Sequence, residues 1–148
     1  MSDGYVLERY ILLRRAAFLM CGDWGLADEV ARTTIARVLA DPDIPEPDLW
    51  AYADLMAAFK KPRGRREHVF VGNAQVADPP VGDSVHTVLV LDALHGLAPR
   101  CRAVLVLRHF CGLAIDETAD ALDLDDSRVL AFEATGLGAF AGLLAGAR

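Results

Sequence analysis

The chain has 148 residues, 53% of them apolar, and a formal net charge of -6 at pH 7. This size and composition suffice for one domain, or two small ones, with a substantial buried core, and they exclude a disordered chain. The acidic balance also excludes a protein that coats nucleic acid non-specifically, because such binding runs on many Lys and Arg releasing phosphate counterions; any nucleic-acid contact has to be local.

Helical patterning runs through nearly the whole chain, which predicts an all-α fold. From Tyr5 to Met20, apolar residues including Val6, Tyr10, Leu13 and Phe18 recur with roughly 3.6-residue spacing while Arg9, Arg14 and Arg15 fill other positions. The opening stretch lacks a signal peptide's order of basic, apolar and small-residue regions, and the three cysteines, Cys21, Cys101 and Cys111, make no disulfide framework. A cytoplasmic chain with reduced thiols is expected. "CGDWG" breaks the first helix, and "LADEVARTTIARVLA" (26–40) predicts a second, with Asp28 and Glu29 in its first turn and a buried stripe of Val30, Ile35, Val38 and Leu39. The proline-punctuated "DPDIPEP" is a loop. "DLWAYADLMAAFKK" then predicts a third helix, with Asp48 as N-cap and Pro62 as its stop.

Residues 71–84, "VGNAQVADPPVGDS", hold no sustained period and read as a linker between a first domain, 1–70, and a second, 85–148. The second half predicts a helix from Val85 to His95 and, after "GLAP", another from Pro99 to about Phe110, with proline at its favoured first-turn position and Gly112 as a stop. "AIDETADALDL", a short turn and "DSRVLAFEATGLGAF" complete a helix-turn-helix unit.

On these residues the chain resembles a known family. "LAPRCRAVLVLRHFCGLAIDETADALDLDDSRV" is similar to region 4 of the sigma-70 family, particularly the small extracytoplasmic-function sigma factors, with their leucine-proline-basic start and "GLxxxETAxxL" helix. "CGDWGLADEVARTTIARVLA" is more loosely similar to region 2. The resemblance implies two small helical domains, a regulator of transcription initiation that binds the RNA polymerase core, and no enzymatic activity or cofactor. It implies that the second helix of region 2 offers Asp28, Glu29, Arg32 and Arg37 to the polymerase; the plainer alternative is that these charges form the solvated face of an amphipathic helix.

In the family, the next helix and loop melt and read upstream promoter DNA. Here Trp50, Tyr52 and Phe59 precede "KKPRGRR", in which Lys60, Lys61, Arg63, Arg65 and Arg66 put five positive charges into seven residues. That cluster is a candidate phosphate grip, with the rings as stacking platforms. It also reads as a solvated loop behind core aromatics.

The helix-turn-helix unit departs from the family where promoter reading needs donors. Positions that carry Lys, Ser and Arg in resembling sigma factors fall here, aligned on "DSRV", on Leu130, Ala131, Phe132, Thr135 and Ala139, and only Arg128 is basic in the stretch. Glu133 adds a negative charge, and Asp123, Asp125 and Asp126 crowd the turn before it. Region 4 is therefore expected to be degenerate. A helix this apolar is expected to be buried, against the first half of the chain or against a partner protein or second copy through Leu130, Phe132, Leu137 and Phe140. A membrane span is disfavoured: Glu133 interrupts the run from Val129 to Ala147, much of it is Ala and Gly, and no basic cluster immediately precedes it, although Gly138-x-x-x-Gly142-x-x-x-Gly146 permits close helix approach. Cys101, His109 and Cys111 lack metal-ligand spacing and a fourth ligand, so no metal site and no catalytic residue is expected.

Overall fold

A computed structural model describes residues 2–60 and 84–146, and among these every regular element is helical. Helix α1 (Asp3–Cys21) starts on Ser2, whose hydroxyl accepts from the Tyr5 N–H at 3.1 Å. It stops at Gly22, where a φ of 73° turns the chain into the left-handed region that a residue without Cβ adopts freely. Helix α2 (Trp24–Ala40) is capped by Asp23, whose carboxylate accepts from the N–H groups of Gly25 (2.8 Å) and Leu26 (3.3 Å). The Asp23 cap starts the helix before Leu26, so Asp28 and Glu29 lie beyond the first turn, contrary to the expectation from sequence. The predicted stripe also shifts. Leu26, Ala27, Val30, Ala31, Thr34 and Val38 are buried, Ile35 is half-buried and Leu39 is 50% exposed, since one residue past Val38 is about 100° round the helix. Thr34 takes an inward position because its hydroxyl donates to Asp54 Oδ2 at 2.8 Å.

Helix α3 (Pro47–Lys60) begins with proline, so Asp48 sits inside its first turn and is not the N-cap; the Glu46 carbonyl, held at φ 47°, accepts from the Trp50 N–H instead. Asp48 is used sideways, accepting from the Tyr5 hydroxyl and pairing with Arg9 at 3.6 Å. After the segment 61–83, outside the described residues, come α4 (Ser84–His95) and α5 (Pro99–Leu105) with Pro99 in its first turn. The predicted continuation to Phe110 exists with a change of pitch: Val106–Phe110 is a π-helical turn, closed by the Cys111 N–H on the Val106 carbonyl at 2.9 Å. Gly112, at φ 75°, ends it. Then follow α6 (Ile115–Leu122) and α7 (Asp126–Gly146).

The two halves share one core. Leu13, Phe18, Leu55 and Met56 from the first half join Leu94, Leu105 and Leu107 from the second in a single buried cluster. Each such side chain contributes about 1.5–3 kcal/mol of burial. Helix α3 lies on α6, and α1 lies on α4 and the π-turn. Arg102 clamps the junction: its guanidinium donates to the carbonyls of Leu94 (2.9 Å) and Leu97 (3.1 Å) at the end of α4 and of Met20 (3.1 Å) at the end of α1. Burial lowers its pKa from the ordinary arginine value, a cost offset by three charge-assisted bonds to backbone carbonyls at and just past the helix ends.

Candidate functional site

The helix-turn-helix unit is built by the residues of its own motif. The Glu117 carboxylate accepts from the Ala114 N–H at 2.8 Å at the start of α6, the neighbouring Thr118 is fully buried with its hydroxyl on the Ala114 carbonyl (2.9 Å), and Ala119 packs against Val104 and Val129. Thus "ETA" supplies a cap, a satisfied buried hydroxyl and a side chain small enough for α5, α6 and α7 to meet. Asp123 turns the chain in the left-handed region (φ 58°). Asp125 then caps α7, its carboxylate accepting from the Arg128 N–H (2.9 Å) and the Ser127 hydroxyl (2.8 Å), bonds that hold its pKa below the ordinary aspartate value.

Helix α7 packs on α4, α5 and α6 of its own half. It does not close over the first half as one reading of its apolar composition expected; what buries it on one side is the close approach to α5 at Gly136, where a Cβ would stand 3.3 Å from both Cys101 Cβ and Leu105 Cγ. Phe132 and Phe140 turn inward onto the core, whereas Leu130 (49% exposed), Leu137 (43%) and Leu143 (40%) face outward. The four candidate partner residues therefore divide between two faces. Glu133 also turns inward: its carboxylate, 12% exposed, accepts from Arg108 Nε at 3.1 Å and lies 2.8 Å from His109 Nε2. The ion pair with Arg108, with the His109 ring in hydrogen-bond reach, is why it does not project toward a phosphate backbone. Arg128 is exposed, its guanidinium 5.5 Å from the Phe132 ring centroid. From Leu130 to Gly146 the exposed residues of α7 carry no charge. Among the described residues it is also the one helix long and apolar enough to cross a membrane.

Helix α2 presents the opposite chemistry. Glu29 and Arg32 are exposed; Asp28 is half-buried, accepting from the Tyr10 hydroxyl and from Arg32 Nε at 2.8 Å; Arg37 reaches Asp54 at 2.8 Å. The sequence-predicted quartet thus shares one helix, with Asp28, Arg32 and Arg37 in ion pairs and Glu29 exposed without a side-chain partner among the described residues. Of the basic cluster, Lys60 ends α3 and is exposed, while Lys61, Arg63, Arg65 and Arg66 lie outside the described residues. Tyr52 is buried and Trp50 and Phe59 pack on the core, which makes them structural rings in this arrangement.

Comparison with known proteins places this geometry. Residues 87–129 match the family "Sigma-70, region 4". The second half is similar to sigma-70 region 4, and the chain is sigma-factor-like. The RNA polymerase sigma-E factor of Streptomyces coelicolor is 29% identical over 135 residues, 86% of this chain and 76% of that protein. The sigma factor RpoE of Bartonella quintana, solved with the anti-sigma factor NepR, superposes with a TM-score of 0.76 at 18% identity, covering 99% of this chain and 98% of that one. CnrH, solved with the cytosolic domain of CnrY, gives 0.74 at 19%, covering 97% and 87%. The PhyRSL–NepR complex of Sphingomonas sp. Fr1 gives 0.66 at 21%, covering 97% and 90%. At these identities the structural matches establish the two-part sigma-factor fold.

Sequence reasoning missed the residues that join region 4 to the first half. Arg102 lies in the matched region, but nothing in "PRCR" says that its donors meet carbonyls from two helix ends. Cys111 lies near the Tyr52 hydroxyl across the junction, both lining the same cavity, and burial pushes its thiol up to about 11. The inward turn of Glu133 had a legible signal, an acid in an apolar run seven residues C-terminal to Asp126, but its partners sit on another element.

Proposed function

We propose that this chain is a cytoplasmic, non-enzymatic regulator of transcription initiation that binds RNA polymerase through α2 while region 4 has weakened or lost promoter reading. The relatives' names support the polymerase link, and the exposed Glu29 and Arg32 on α2, with Arg32 steadied by Asp28, support a charged protein contact. The observation that carries the loss of reading is the uncharged outward face of α7 from Leu130 to Gly146 behind an Asp-rich turn. Phosphate anchoring and base-edge readout both require donors; this face supplies Thr135 alone, with Ser127 and Arg128 at the helix start before it.

A second reading is favoured by Leu130, Leu137 and Leu143 standing exposed on that face: a sigma-like interaction module that binds a protein partner through α7 and never brings polymerase to a promoter. Purification of the tagged chain from its own cell separates the two. The first reading expects polymerase core subunits to co-purify and to be lost with Glu29→Lys and Arg32→Glu; retention of polymerase by that double variant, or its absence from the native chain, contradicts it.

A further inference from the structure

Between the two halves lies a cavity of about 440 Å³. Leu12, Ala16 and Leu19 of α1 line one side, and Leu49 of α3, Val90 of α4 and Phe110 of the π-turn line the others. The cavity opens to solvent beside exposed Arg15 and Phe110, and it has the size of a small-molecule pocket, for which about 300–1,000 Å³ is usual. It follows α1 from Arg9 to Leu19, about 15 Å of helix at its standard rise. Apolar atoms lining such a space forgo contacts that an apolar occupant restores.

The charged part of the lining is Arg9, Arg15 and Asp48, one cation more than anion. Asp48 is already held by the Tyr5 hydroxyl and by Arg9 at 3.6 Å. The cations are not used up: Arg9 Nε is buried without a hydrogen-bond partner, and Arg15 is exposed with no ion pair or hydrogen bond among the described residues. A buried guanidinium N–H left unpaired is costly, and a carboxylate is the group whose geometry satisfies it best.

We infer that this junction cavity binds an amphiphile with one anionic head and a single acyl chain, a long-chain carboxylate, with its chain along α1 and its head on Arg9 or Arg15. The inference stands on the cavity and its two arginines and is independent of the polymerase reading. Because the lining comes from both halves, such a ligand binds the docked arrangement and stabilises it by mass action.

The test uses the full chain with Trp50→Phe, leaving Trp24, which lines the cavity stacked on Phe18 at 3.9 Å, as the fluorescent reporter. Palmitate, palmityl alcohol and hexadecylamine are titrated below micelle formation, with calorimetry for stoichiometry. Palmitate is expected to bind once per chain, shift Trp24 emission and raise the melting temperature, with the alcohol at least about tenfold weaker and the amine weaker still. Arg9→Gln with Arg15→Gln should remove the preference for the carboxylate while leaving alcohol binding in place. Val90→Phe, on a half-buried position, should block both without adding a second fluorophore, and a native helical spectrum confirms that each variant folds. Equal binding of acid, alcohol and amine, a carboxylate preference that survives the double arginine variant, or no saturable binding overturns the proposal. So does an acidic amphipathic peptide that shifts Trp24 while palmitate does not.

Discussion

Helices α2 and α7 each bury one side in the shared core and leave the other to solvent, yet their outward faces are chemically opposite. The α2 face carries Glu29 and Arg32, with Asp28 and Arg37 tethered at its margins; the α7 face carries leucines, alanines and glycines, and its one acid beyond Asp126 is folded in against Arg108 and His109. Burial requires only one side of each helix to be apolar. The outer side is free to vary, so the uncharged face of α7 is not something the fold demands. The scaffold residues of region 4, Glu117, Thr118, Ala119 and Val129, keep their structural work in the same unit.

The contrast between inner and outer sides of α7 is sharpened most strongly at its glycines. Gly136→Leu drives a side chain into Cys101 and Leu105 and is expected to destabilise by about 1–3 kcal/mol, read from the denaturant midpoint at unchanged slope. Gly138→Ala has nothing within 4 Å of the new Cβ and should stabilise by about 0.5–1 kcal/mol. A comparable loss from both would show that the outer face is packed after all.

An effect of similar size is expected at the junction that holds the two faces in one molecule. Arg102→Met removes three bonds to carbonyls of α1 and α4, for an expected cost of about 2–3 kcal/mol; no change in thermal unfolding would show the clamp to be idle. Burial of Cys111 at the junction adds a pH dependence. Cys111 is raised from 9.0 to about 11 by burial, so the folded chain keeps its proton while the unfolded one loses it. Its stabilisation is complete below pH 9, falls between pH 9 and 11 and is gone above, by on the order of 1–2 kcal/mol. Melting temperature measured across that window should drop less in Cys111→Ala; equal drops would assign the effect elsewhere.

The smallest effect on stability carries the most functional information. Leu130→Lys with Thr135→Arg and Ala139→Arg places three cations on exposed positions, so stability should change by no more than about 0.5 kcal/mol. Duplex DNA affinity should rise, with a salt slope steeper by up to about 0.9 per added phosphate contact. Collapse of the fold in this variant would mean that the face is buried.

Much of this was legible in the sequence. Helix positions follow from period and punctuation: Gly112 stops the π-turn and Pro99 opens α5. The departure of α7 from a donor-rich face was readable because it depends on residue type alone. Pairings between elements were not. Asp48 reads as a cap from its place before "LWAY", yet Pro47 starts the helix and Tyr5 and Arg9, some forty residues away, claim the carboxylate. Phe132 and Leu130 read alike, and only the approach of α7 to α5 sends one inward and leaves the other out.

The central claim is that α7 has ceased to read a promoter. It is tested most directly on the full chain with Lys60, Lys61, Arg63, Arg65 and Arg66 neutralised, by titrating a pool of random-sequence duplex DNA across a salt series and sequencing whatever is retained. With the basic cluster gone, the account predicts a salt slope near zero and no enriched sequence. Tight binding at physiological salt that selects one promoter element, and is abolished by Arg128→Ala, would contradict it.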